Sequence, residues 1–171
     1  MKITKKSEKH IESYLKKVGE QNMTESLEDF KSVFSGSNSN VFTNGYNAYA
    51  ISKDVSFNSI EPRTMEEKHI DLFKYLETSV GSFERYDMEI AYDEDLIQEI
   101  INDANTYKKA NIKHMKLGHK MVDPEFIIQA NDILNGLYGI FEKSDEGKDW
   151  ILLTGKYGSC YMLPLNPKHL D

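Results

Sequence analysis

Tyr86-Asp87-Met88-Glu89-Ile90-Ala91-Tyr92-Asp93-Glu94-Asp95-Leu96-Ile97-Gln98-Glu99-Ile100-Ile101-Asn102-Asp103-Ala104 changes its hydrophobic period midway. Up to Tyr92 the apolar side chains alternate, with Tyr86, Met88, Ile90 and Tyr92 on one side and Asp87 and Glu89 on the other. That is the period of a half-buried strand. From Asp93 the pattern is helical: Asp93 caps, and Leu96, Ile97, Ile100, Ile101 and Ala104 share a face, with Tyr92 placed to staple over Ile97. A strand that runs directly into an amphipathic helix predicts a mixed protein.

The flanking sequence repeats the mixture without a βαβ rhythm. Ser7 is a candidate cap for a helix over 8–18, with Ile11, Tyr14, Leu15 and Val18 buried and Gly19 as its stop. A capping box at Thr64–Glu67 predicts a second helix over 65–78, and the 93–107 helix follows. Pro124, after Asp123, opens a fourth over 124–136, its apolar face formed by Phe126, Ile127, Ala130, Ile133, Leu134 and Leu137. Strands are expected over Phe30–Phe34, over Val41–Ile51 with a turn at Asn44-Gly45, and over Ile112–Leu117. A closing hairpin joins Trp150–Leu153 to Cys160–Leu165. The fold class is α+β, with helices packed on antiparallel sheets. No internal repeat is legible. The 171 residues fit one domain, 1–171, with a possible division into halves 1–80 and 81–171.

Composition narrows the chemistry. Cys160 is the single cysteine, so no intramolecular disulfide forms, and a reducing, cytoplasmic setting fits. The charged N-terminus lacks the apolar segment of a signal peptide, and no apolar run is long enough to span a bilayer. The histidines show no HExxH spacing, and His114 and His119 do not share a helical face. Cys160 has apolar neighbours that would keep its thiol inert. Walker A, GxSxG and GxGxxG are absent. The acidic run Asp93-Glu94-Asp95 reads as helix capping rather than cation binding. No catalytic residue, metal or cofactor is expected, and the chain reads as a binding protein rather than an enzyme.

The net charge of −7 is unevenly spread. Glu84–Asp103 holds eight acids against one Arg, whereas Ala104–Val122 holds five Lys, two His and no acid. A second basic segment opens the chain. Either these runs are solvated faces, or the fold joins them into a phosphate-binding surface.

Three stretches resemble the bacterial sliding clamp, the beta subunit of DNA polymerase III, and its short phage and mobile-element relatives. Val41–Ala50 is similar to the clamp hairpin Ala-Thr-Asp-Gly-His-Arg-Leu-Ala, keeping Thr43, Gly45 and Ala50, with Asn44 for the Asp and Asn47 for the Arg. Val122–Ala130 resembles the helix-opening Phe-Asn-x-x-Tyr-Leu-x-Asp-Ala, with Gln129 for an Asp. Trp150–Thr154 and Tyr161–Leu165 look like the closing hairpin and its Tyr-Val-x-Met-Pro-Met ending. The chain is shorter than a bacterial clamp and continues six residues past that ending.

The resemblance implies a non-enzymatic, homo-oligomeric protein of DNA replication whose helices face duplex DNA. Lys5, Lys6, Lys9, Lys16, Lys108, Lys109, Lys113, Lys116 and Lys120 would hold the DNA backbone. Met162, Pro164 and Leu165 would hold apolar clamp-binding peptides of replication proteins. The rival expectation is a phage-encoded inhibitor or mimic that meets a host nucleic-acid-handling or defence protein through the acidic Glu84–Asp103 surface. A third is a purely structural oligomeric module.

Overall fold

The computed structural model describes residues 1–20, 31–67, 90–145 and 148–165. Helix α1 spans Lys5–Glu20 and is followed by strands β1 (Phe34–Ser35), β2 (Ser39–Thr43), β3 (Asn47–Ser52) and β4 (Arg63–Thr64). Then come β5 (Ile90–Ala91), helix α2 (Glu94–Lys109), β6 (Met115–Leu117), β7 (Lys120–Val122) and helix α3 (Pro124–Ile133). β8 (Leu137–Asp145), β9 (Lys148–Gly155) and β10 (Gly158–Met162) close the sequence of elements.

Eight strands form one sheet in the order β4-β1-β2-β3-β10-β9-β8-β5, and β6 pairs with β7 separately. Every pairing is antiparallel except β1 with β4. The mixed α+β class expected from the sequence is therefore the class found.

The helices lie against one face of the large sheet. Ile11 and Tyr14 of α1, Ile97, Ile100, Ile101 and Ala104 of α2, and Ile127, Ala130 and Ile133 of α3 share one core with Phe42, Tyr49, Leu153 and Cys160. Strand alternation turns the intervening residues to the opposite face. There Phe34, Val41 and Ala50 form one row, and Phe141, Leu152 and Tyr161 another.

These two rows are equivalents. Phe34 opposes Val41 and Val41 opposes Ala50, just as Phe141 opposes Leu152 and Leu152 opposes Tyr161. A helix precedes each three-stranded meander: α1 before β1-β2-β3, and α3 before β8-β9-β10. The meanders meet at the antiparallel β3–β10 seam, where Tyr49 faces Cys160. The central six strands thus read the same from either end. Phe34 matches Phe141, but Val41 matches Leu152 and Ala50 matches Tyr161, and so scattered a likeness is not legible as a sequence repeat.

Several boundaries differ from expectation. α1 begins at Lys5 because the Ser7 N–H donates to Thr4 Oγ1 at 3.1 Å, making Thr4 the cap. Ser7 lies inside the helix, and its hydroxyl donates to the Asp132 carbonyl at 2.8 Å. α3 stops at Ile133 because Asn135 and Gly136 take φ values of 57° and 100°, a left-handed turn that ends a helix. Leu137 then opens β8, a strand not anticipated from the sequence. A register shift between Leu137 and Gly139 interrupts its alternation. The strand expected over Ile112–Leu117 is confined to Met115–Leu117, and that over Phe30–Phe34 appears only as Phe34–Ser35. The Asn44-Gly45 turn and the Asp93 cap stand as read, and the closing hairpin forms, although its last strand runs Gly158–Met162 and ends before Leu163. Most of the 65–78 helix and residues 86–89 of the opening strand lie outside the described residues.

Candidate nucleic-acid interface

α1 lies antiparallel to α3. Lys6 Nζ is 3.7 Å from Asp132 Oδ1 near the C-terminal end of α3, and Lys17 Nζ is 3.7 Å from Glu125 Oε1 in its first turn. His10 Nε2 shares Asp132 at 3.7 Å. Ile11 and Tyr14 turn inward, so Lys5, Lys9 and Lys16 are left exposed, forming no ion pair with a described residue. Lys6 is exposed too, its charge partly engaged by Asp132. The helix thus offers a lysine row on the side away from the sheet.

The second basic segment starts in the last turn of α2, where Lys108 and Lys109 are exposed. Lys113 follows in the connection to β6, and Lys116 is the outward residue of β6, between buried Met115 and Leu117. Lys113 lies close enough to Asp123 to favour its ionised form. Burial nevertheless pushes the Asp123 carboxyl upward, opposed by the Glu125 N–H, which donates to Oδ1 at 2.9 Å, and reinforced by the Glu125 charge. Asp123 and Glu125 belong to the first turn of α3. The fold therefore brings Lys17 of one basic segment and Lys113 of the other to the same helix end.

Lys120 departs from the expected set. It is 8% exposed, with its Nζ 3.6 Å from Asp149 Oδ1, so its ammonium is engaged within the fold and turned away from any docked phosphate. The expected peptide site is also altered. Met162 is 1% exposed and belongs to the helix-side core, so it presents no surface to a peptide. Pro164 and Leu165 are half-buried, and the Leu165 N–H donates to the Met121 carbonyl at 2.8 Å. Leu163, between them and the core, is exposed.

The described part of the acidic run is equally segregated. Glu94, Asp95, Glu99 and Asp103 lie on the exposed side of α2 and form no ion pair with a described residue. Asp93 accepts the Leu96 N–H at 2.8 Å, which accounts for it as a cap. Cys160 is fully buried, and burial pushes its thiol up to about 12 despite a hydrogen bond with Tyr49 that acts the other way. His114 and His119 are exposed on either side of β6. Among the described residues no three His, Cys, Asp or Glu side chains group as metal ligands, and no helix is long and apolar enough to cross a membrane.

Sequence reasoning missed Glu142, a charged residue 1% exposed in β8. The Tyr92 hydroxyl donates to its Oε2 at 3.1 Å, and its Oε1 has no hydrogen-bond partner among the described residues. Glu142 precedes a polar stretch in a strand that was itself unread, so nothing in the sequence marked it as buried.

Comparison with known families, with characterised proteins and with solved structures yields no match to this chain.

Proposed function

We propose that the protein is a non-enzymatic, clamp-like DNA-associated factor of phage or mobile-element replication, acting as a homo-oligomer that holds duplex backbone without reading sequence. The observation that carries this reading is the placement of the two basic segments. Lys5, Lys9 and Lys16 on one side of α3, and Lys108, Lys109, Lys113 and Lys116 on the other, are exposed on the helix-bearing side of the sheet. Point charges on flexible stems suit phosphate oxygens and carry no base information. Helices on one side of antiparallel sheet are also what the clamp resemblance implies.

Duplex binding should weaken steeply with salt, with a log–log slope of roughly 0.9 per phosphate contact. The Lys109→Glu, Lys113→Glu, Lys116→Glu variant should lose binding to all sequences alike, whereas Lys120→Met should not, because Lys120 is internal. Gel shifts at low and moderate salt, with the mass from size exclusion, decide it. A parent that ignores DNA at low salt removes the reading.

A second reading is favoured by the unpaired acidic side of α2. There the protein inhibits or mimics by binding a basic host nucleic-acid-handling or defence protein. Glu94→Lys with Glu99→Lys would abolish that binding and leave, or even strengthen, any affinity for DNA.

A further inference from the structure

The β6–β7 hairpin is a small sheet of its own beside the large one. Met115, Leu117 and Val122 enter the core, the Leu165 N–H reaches Met121, and Lys120 pairs with Asp149 of β9. Its turn is the most confined point. Gly118, at φ 60°, lies against both the Glu142 carboxylate and the Tyr92 hydroxyl, leaving no room for a Cβ. The turn therefore forms a lid over a buried carboxylate, one of whose oxygens has no hydrogen-bond partner among the described residues.

We propose that the β6–β7 hairpin is a proton-controlled latch, closed over Glu142 while its carboxyl is protonated and released when the carboxylate ionises. A neutral carboxyl needs little from its surroundings, and the Tyr92 hydroxyl supplies one hydrogen bond. An anion in the same place is costlier, because Oε1 has no hydrogen-bond partner among the described residues, and lifting residues 117–120 would uncover it. The charged and titratable groups facing it are Tyr92 before α2, His119 and Lys120 on the hairpin, and Asp149 on β9. Burial raises the Glu142 carboxyl. The Tyr92 hydrogen bond and the neighbouring Lys120 and His119 oppose this, Asp149 adds to it, and the net direction is upward. Because the closed form binds the proton more tightly than an open one, closure is favoured at low pH and lost as pH rises through the Glu142 value. The proposal is independent of the DNA reading, although Lys116 rides on the hairpin and would move with it.

Hydrogen exchange on the full chain tests this, followed from pH 5 to 9 and corrected for intrinsic rate. In the parent, the amides of Leu117, Lys120 and Val122 should lose protection by up to about tenfold per pH unit as pH climbs from the ordinary carboxylate range to the raised Glu142 value, and level off above it, while Ala50 and Cys160 at the seam stay constant. Glu142→Gln should keep the hairpin protected across the range. Tyr92→Phe removes a hydrogen bond that favours the anion, so it should carry the loss of protection on to higher pH before it levels off. It also serves if Glu142→Gln does not fold. Hairpin protection independent of pH in the parent, an unaltered profile in Glu142→Gln, or an unmoved one in Tyr92→Phe overturns the latch.

Discussion

Glu8, in the first turn of α1, is 4% exposed and accepts three consecutive backbone N–H groups. Its Oε1 lies 3.0 Å from the nitrogen of Asn58, 2.8 Å from Ser59 and 2.9 Å from Ile60. Burial pushes this carboxyl up, but the hydrogen bonds from Ile60, Ser59 and Asn58 together outweigh it and hold it below the ordinary carboxylate value. A depressed acid stabilises the fold above its unfolded value, and that stability is lost as pH falls through the folded one. Glu8→Gln should therefore flatten the acid limb of a stability–pH curve measured by urea unfolding. Glu8→Ala should cost on the order of 2–3 kcal/mol, since three donors lose their acceptor. None of this was legible in the sequence, because the loop that Glu8 binds lies some fifty residues further along the chain. Cys160 was legible, since apolar neighbours in a predicted strand already place its thiol inside.

At the scale of elements, legibility followed the strength of local signals. α2 was readable from its start because capping, charge and apolar spacing agree: Asp93 caps it and Glu94 and Asp95 fill its first turn, while its end runs two residues past the expected 107, to Lys109. Asp93→Ala should lower stability by about 1 kcal/mol, and Asp93→Asn by much less, in thermal unfolding followed by circular dichroism. The β2–β3 hairpin was readable from Asn44-Gly45: Asn44 Oδ1 accepts the N–H groups of Tyr46 and Asn47, and Gly45 takes φ 91°. Gly45→Ala should cost roughly 1–2 kcal/mol by the same measurement, although a Cβ there meets no atom, because the penalty is in the backbone itself. β8 was unreadable for the opposite reason. Its bulge breaks the two-residue period and leaves Tyr138 exposed.

At the scale of the molecule, the sequence showed two basic runs and one acidic run but not their arrangement. That arrangement depends on α3, which separates the basic runs and gathers Lys17 and Lys113 at its first turn. The loss of Lys120 from the surface likewise needs the docked hairpin, which no local pattern foretells. The large core contains residues of α1, α2 and α3 and of both meanders, so these elements share one interior. Urea unfolding followed by Trp150 fluorescence and by far-ultraviolet circular dichroism should give superimposable transitions. Two separated midpoints would show that the meanders melt apart.

The β3–β10 seam also bears on how the molecule is made. Its partners, such as Tyr49 and Cys160, are more than a hundred residues apart in sequence. Closing so long a loop comes late and slowly in folding. Until it closes, β3 has paired only with β2 and shows an open, aromatic edge to any neighbour. Refolding yield should therefore fall as protein concentration rises, with intermolecular pairing at β3 the competing reaction.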